Sequence, residues 1–248
     1  MQVTDSRIDV KTPDGVMDTY LFEPPGSAAA PAVIVYMDAM AVRPELKSMA
    51  ARLAGNGYVV ALPNLFYRSG PIAPVNPGAF VTPGPERDRV FALIGSIDGG
   101  KVMSDTEALL AVLTKHPRVR GKVGTVGYCM GGGYALLAAG TFPDRIGAAA
   151  SFHGGALAVD RPDSPHLVAS NIKAKVYIGV AGIDPMFSDE QREAIRKALA
   201  DAGVDFTLEV YPDVRHGFTV TGHPVYDAAA SERHWQTLLQ LFGNTLDA

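Results

Sequence analysis

The stretch Gly127-Tyr128-Cys129-Met130-Gly131 constrains the fold of this chain more than any other. The strand-like run Lys122-Val123-Gly124-Thr125-Val126 leads straight into it, and the small-residue helical run Gly132-Gly133-Tyr134-Ala135-Leu136-Leu137-Ala138-Ala139 follows. A strand that reverses into a helix this sharply needs glycine two positions either side of the apex. A side chain there would collide with the neighbouring strand or helix. The turn lifts the apex side chain clear of the sheet and aims it at the helix N-terminus. Here that side chain is a thiol, and the unpaired amides and helix dipole favour its thiolate form. Strand, G-x-nucleophile-x-G, helix is the pattern of a nucleophile elbow, with cysteine in place of the usual serine. Two blander readings compete. A lone cysteine is often a small buried hydrophobe, and glycine-rich turns also cradle phosphates. The phosphate pattern needs G-x-G-x-x-G or a Lys-Ser/Thr ending, and Tyr134 and Ala135 follow the glycines instead.

The rest of the chain alternates in a way that suits such a turn. Arg7 to Lys11 and Val16 to Phe22 read as strands joined at Pro13-Asp14-Gly15. Beyond Pro24-Pro25-Gly26-Ser27, the apolar β-branched run Val33-Ile34-Val35-Tyr36 suits a strand covered on both faces. A helix is expected from Pro44 to Asn56, then a strand from Tyr58 to Leu62 and a helix from Ser104 to Lys115. After the elbow come strands Ala148 to Phe152 and Val176 to Val180, a helix Asp189 to Ala202, a strand Phe206 to Tyr211 and a last helix from about Val225 to Phe242. In that helix Trp235, Leu238, Leu239 and Phe242 form the apolar stripe. The pattern predicts an α/β fold in one domain over residues 1–248: a mostly parallel central sheet, helices on both faces, and antiparallel N-terminal strands. Residues 68–97 interrupt it with Pro71, Pro74, Pro77, Pro83 and Pro85. So many prolines preclude one regular element, and the segment reads as an excursion over the active site, its wall or lid.

In open α/β sheets, chemistry gathers at the carboxyl ends of the strands. Asp184 follows one such strand in Gly182-Ile183-Asp184-Pro185, and His216 follows another in Arg215-His216-Gly217-Phe218. Each alone is an ordinary loop residue. Together, the order Cys129, Asp184, His216 is the nucleophile–acid–base order of an α/β-hydrolase. The imidazole takes the thiol proton and later protonates the leaving group, while the carboxylate fixes its tautomer. The same logic assigns an oxyanion hole to the backbone N–H groups of Met130 and Ala39.

Bulk properties exclude several classes. A net charge of −4 with scattered basic residues argues against a nucleic-acid surface. The N-terminal residues carry no apolar signal stretch, and no apolar run approaches membrane-spanning length. A single cysteine forms no internal disulfide and fits a reducing cytoplasm. His116, His166, His223 and His234 lack ligand-like spacing, so no zinc site is expected. Nothing calls for an obligatory protein partner.

With these residues in view, the chain resembles the dienelactone hydrolases, the carboxymethylenebutenolidase-like branch of the α/β-hydrolase fold. The Gly127-Tyr128-Cys129-Met130-Gly131-Gly132 elbow is the specific element. Pro31-Ala32-Val33-Ile34-Val35, Gly57-Tyr58, Leu62-Pro63-Asn64-Leu65-Phe66-Tyr67-Arg68, Phe152-His153-Gly154-Gly155, Gly182-Ile183-Asp184 and His216-Gly217-Phe218 extend it over nearly the whole chain. The resemblance implies a Cys129–His216–Asp184 triad that hydrolyses cyclic or activated esters through a thioester, with no metal and no cofactor. It also implies an acidic residue after the first parallel strand that contacts the resting cysteine. Here that position offers Asp38, one methylene shorter than the family's glutamate, as an activator of the thiol or a loop-shaping residue. The family's arginine shortly after the catalytic histidine is missing from His216-Gly217-Phe218-Thr219-Val220-Thr221. Arg68, Arg87, Arg89 and Arg215 remain as candidate carboxylate binders, and a neutral ester or lactone fits at least as well as dienelactone. Tyr128 and His153 are expected near the pocket mouth, though His153 also reads as a hydrogen-bonded turn residue. The competing functions are a small-acyl carboxylesterase or thioesterase, a ligand-binding protein on a degenerate hydrolase fold, and a thiol redox sensor, which would lack a resolving cysteine.

Overall fold

The computed structural model describes residues 2–73, 75 and 83–246. Pro74 and Pro77, within the proline-rich excursion, lie outside the described residues. Eight strands form one sheet: β1 (Thr4–Thr12), β2 (Gly15–Glu23), β3 (Ala32–Tyr36), β4 (Val59–Pro63), β5 (Val123–Tyr128), β6 (Ile146–Phe152), β7 (Lys175–Ile183) and β8 (Phe206–Arg215). Their order is β1-β2-β4-β3-β5-β6-β7-β8. Antiparallel pairing is confined to β1–β2 and β2–β4, and every later pair is parallel. The central strands β3, β4, β5 and β6 are buried at every position, as their unbroken apolar or small-residue runs require. From β3 the chain goes to β4 on one side and later to β5 on the other. The switch point therefore falls between the carboxyl ends of β3 and β5, where Ala39 and Cys129 emerge.

Among the described residues, six α-helices flank the strands: α1 (Pro44–Gly55), α2 (Pro85–Gly95), α3 (Gly99–Lys115), α4 (Met130–Thr141), α5 (Asp189–Asp201) and α6 (Ala228–Leu246). One continuous apolar cluster runs from Val10 to Leu246. Trp235, Leu238 and Phe242 face it from α6, with Leu239 at its margin.

Two helices depart most from the sequence reading. Helix α3 begins at Gly99 rather than Ser104, because the Asp98 side chain accepts the Lys101 N–H at 2.9 Å and caps the added turn. Helix α2 lies inside the segment read as an irregular excursion. Pro85 opens it, where the missing N–H costs nothing and φ is already helical. Glu86 and Asp88 follow in the first turn, and Val90 and Leu93 are buried. Val90 packs in a cluster with Ala39, Met40 and Val75, against which Met130 also rests.

Candidate active site

Cys129 occupies the apex between β5 and α4, with φ 56° and ψ −123°. A residue with a side chain rarely holds such a conformation, which costs about 1–3 kcal/mol. The glycines around it leave no room for another residue. A Cβ on Gly127 would stand 1.9 Å from the Gly131 carbonyl oxygen, and one on Gly131 would stand 2.4 Å from that of Tyr36. The Cys129 carbonyl accepts the N–H groups of Gly132 (3.0 Å) and Gly155 (3.3 Å), which fastens the turn from both sides. Cys129 is partly exposed.

His216 and Asp184 meet at the ends of β8 and β7. His216 Nδ1 donates to Asp184 Oδ2 at 2.8 Å, and Asp184 Oδ1 accepts the Met186 N–H at 2.9 Å. The opposite ring nitrogen, Nε2, is buried with no hydrogen-bond partner among the described residues. Burial disfavours the imidazolium, but the Cys129 sulfur and the Asp184 carboxylate outweigh that penalty and raise the His216 pKa to about 10. A thiol is a weak and poorly directional partner, and such contacts are commonly loose before substrate arrives. The structure thus joins His216 to Asp184 by a hydrogen bond and sets the Cys129 sulfur near enough to act on the His216 charge.

The N–H groups of Met130 and Ala39 make no hydrogen bond among the described residues. Both amides lie where the start of α4 presses on the carbonyls of Tyr36 and Met37. Asp38 stands beside them, yet Cys129 is not among its partners. Its Oδ1 and Oδ2 accept from Arg43 Nη1 and Nη2 at 2.6 and 2.7 Å, and Oδ1 also accepts the Met40 N–H at 2.9 Å. The shorter acid is paired with a guanidinium five residues on, in the loop that also carries Ala39. Both side chains are nearly buried, 5% and 10% exposed. Asp38→Ala is expected to lower stability by about 1–3 kcal/mol, since Arg43 loses its counter-charge. It should also slow acylation by loosening the loop. Thermal unfolding and pre-steady-state bursts check the two effects.

The expected substrate contacts fall elsewhere. Tyr128 is fully buried behind the sheet, its hydroxyl 3.0 Å from His234 Nε2 and its ring stacked on Phe152, so it does not reach a pocket mouth. His153 is also buried, with both ring nitrogens taken: Nδ1 accepts the Cys129 N–H at 3.2 Å and Nε2 meets Thr219 Oγ1 at 2.7 Å. Burial and the neighbouring His216 charge hold it neutral, well below the ordinary histidine range. Arg68 forks onto the buried Asp105 through two 2.8 Å bonds and reaches Asp14 through Nε, which consumes its charge. Arg87 lies 5.4 Å over the Phe91 ring on α2. Arg89 pairs with Glu86, and Arg215 is exposed. Arg43, Thr219 and His234 escaped the sequence reading. No local pattern marks them, because their partners are set by tertiary packing.

Among the described residues, no group of three or more His, Cys, Asp or Glu side chains is disposed to hold a metal ion, and no helix is long and apolar enough to cross a membrane. A model of the dienelactone hydrolase family matches residues 17–246. A carboxymethylenebutenolidase of Rhodococcus opacus is 26% identical over 237 residues, covering 94% of this chain and 88% of its own. Among solved structures, a dienelactone hydrolase-like promiscuous phosphotriesterase from metagenomic libraries superposes with a TM-score of 0.81 at 25% identity, over 99% of this chain and 100% of that one. The dienelactone hydrolase of Anabaena variabilis shares the fold with a TM-score of 0.70 at 20% identity, over 99% and 100% of the two chains.

Proposed function

The chain belongs to the dienelactone hydrolase family and is a hydrolase of esters or lactones; on that premise we propose that Cys129 is its nucleophile, with His216 as acid and base and Asp184 as the orienting carboxylate. The observation that carries this reading is His216 itself. It is tied to Asp184 on one side and held as imidazolium by the Cys129 sulfur on the other.

In the proposed cycle, the Cys129 thiolate attacks the ester carbonyl carbon. The carbonyl oxygen takes the negative charge and accepts hydrogen bonds from the N–H groups of Met130 and Ala39. Each such donor is worth about 2.7–4 kcal/mol in the transition state. Collapse breaks the bond to the leaving alkoxide, which takes the Nε2 proton of His216. In a lactone that alkoxide stays within the acyl group. The resulting thioester is then attacked by water, whose proton passes to the now neutral imidazole. Collapse frees the carboxylic acid and restores the ion pair. Asp184 holds the Nδ1–H throughout, so the ring keeps one tautomer and one orientation. Asp38 is proposed to shape the oxyanion loop, and helix α2 to wall the site through the contact of Val90 with Ala39 and Met40.

The acyl group is proposed to be uncharged. Arg68 and Arg43, the arginines tethered near the carboxyl ends of β4 and β3, already answer to carboxylates of this chain. A panel of neutral lactones, enol esters, alkyl esters and thioesters against acids of the same skeleton tests this. Higher kcat/KM for the neutral members supports it, and a preference for the carboxylates removes it. Preference for thioesters would favour the thioesterase reading, and ligand-induced stabilisation without turnover would favour a binding protein.

The pH profile provides a separate check. A simple alkyl ester has a leaving group that needs a proton, so kcat/KM should fall as pH rises through about 10, where His216 loses its proton. Asp184→Asn removes the carboxylate that helps hold that proton. The alkaline limb is then expected to move to lower pH, with kcat reduced by about 10- to 100-fold at neutral pH. An unmoved limb would show that Asp184 does not act through His216.

A further inference from the structure

Beneath Cys129 lies a hydrogen-bond circuit that the proposed chemistry does not use. The Cys129 N–H is shared between His153 Nδ1 at 3.2 Å and the Phe152 carbonyl at 3.3 Å. An amide only donates, so Nδ1 is the bare nitrogen, and Nε2 carries the proton given to Thr219 Oγ1 at 2.7 Å. The Thr219 carbonyl accepts from Ser231 Oγ at 3.1 Å. The Ser231 carbonyl accepts from His234 Nδ1 at 2.9 Å, which leaves His234 Nε2 to accept the Tyr128 hydroxyl at 3.0 Å. Tyr128 precedes Cys129 in the chain, so the loop closes. His153, Thr219, Ser231 and His234 are all buried. Burial keeps both histidines neutral, His234 down to about 3.

His153 is the member that joins the reactive parts. Its N–H donates to the Gly179 carbonyl at 2.8 Å, and its φ of 39° is one that residues with side chains rarely adopt. Such strain persists where the surroundings over-determine it, often at a working site. One edge of the ring grips the amide of Cys129. The other grips Thr219, three residues beyond His216, and the His216 ring packs edge-on against it at 5.1 Å between centroids. A protonated His153 would lose its acceptor for the Cys129 amide and bring a second cation against the His216 imidazolium.

We infer that His153 is a positioning residue, a neutral two-ended strut between the Cys129 turn and the Thr219 loop that sets the distance from the sulfur to the His216 ring. It holds the reacting groups in register without touching substrate. A displacement of about 1 Å at such a pair can cost about 100-fold in rate.

The inference rests on the hydrolase reading, but its test does not depend on turnover alone. Cys129 is the only cysteine in the chain, so iodoacetamide alkylation followed against pH reports its thiolate directly. The variants are His153→Phe, which keeps an aromatic ring and loses both hydrogen bonds, Thr219→Val, and Thr219→Ser. In the first two, the alkylation midpoint should rise by about one pH unit and kcat for p-nitrophenyl acetate should fall about 10- to 100-fold, with KM nearly constant. Thr219→Ser should restore both. Lowered melting temperatures with an unchanged midpoint and kcat would make the circuit mere packing and overturn the inference. Should His153→Phe fail to fold, the Thr219 pair decides. If wild type proves unable to cleave any ester, the hydrolase reading falls, while the alkylation midpoints still decide for or against the strut.

Discussion

Cys129→Ala is expected to abolish turnover of p-nitrophenyl acetate, a loss of at least about 1,000-fold, while the melting temperature stays close to wild type. The rate follows from the role proposed for the sulfur. Without it no thioester forms, and only the oxyanion donors and binding remain to assist water. The stability follows from the position. Cys129 is partly exposed and fills no core site, so truncating it opens no cavity. Cys129→Ser is the more discriminating change, because it keeps the shape. A serine hydroxyl is far more basic than a thiol, and an alkoxide gains much less from the His216 imidazolium and the helix N-terminus than a thiolate does. Activity should fall by about 100-fold or more. Wild-type rates in the serine variant would mean that the site operates as an ordinary serine hydrolase, with nothing special in the thiol. A full-rate alanine variant would remove Cys129 from the chemistry altogether.

The parts of this site that were legible in the sequence are those fixed by backbone geometry. Gly127 and Gly131 had to be glycine because the turn closes on backbone atoms, and the spacing alone announced it. Asp184 and His216 could be placed because each directly follows a strand, and parallel strands deliver their carboxyl ends to one edge. What stayed hidden depends on side chains that meet far apart in sequence. Thr219 lies 66 residues from His153, and Tyr128 lies 106 from His234, with no periodicity linking either pair. Tyr128 and His153 were expected at the pocket mouth because strand ends lie there, but both are buried: Tyr128 meets His234 of α6, and His153, one residue past β6 with φ 39°, meets Thr219. Arg68 looked available as a surface cation until the fold brought Asp105 of α3 beneath it. Asp38 matched a family position, and its pairing with Arg43 is not written in that match. Helix α2 was missed because prolines were read as breakers, while Pro85 sits at the one helical position that welcomes proline.

A second large effect is expected from Gly127→Ala. The added methyl carbon would stand 1.9 Å from the Gly131 oxygen, 2.2 Å from the Gly131 carbonyl carbon and 2.6 Å from the Gly132 nitrogen. All three are backbone atoms of the first turn of α4, so no side chain can swing aside. Nor can α4 retreat, because Gly131 already abuts the carbonyl oxygens of Tyr36 and Met37 on the far side. The helix start is held between two strand ends, and relief requires moving Cys129, Met130 and Ala39 together. We expect a destabilisation of about 3–5 kcal/mol, the range reserved for severe backbone conflict, and loss of activity in whatever folds. Gly133→Ala supplies the contrast. Its nearest neighbour would be 3.6 Å away, an ordinary contact, within a regular helix. Alanine there should be neutral or stabilising by up to about 1 kcal/mol. Thermal unfolding of the two variants decides the matter. Equal tolerance at both positions would mean that the strand-to-helix turn is looser than its geometry requires, and the rigid placement of Cys129 on which the chemistry relies would lose its physical basis.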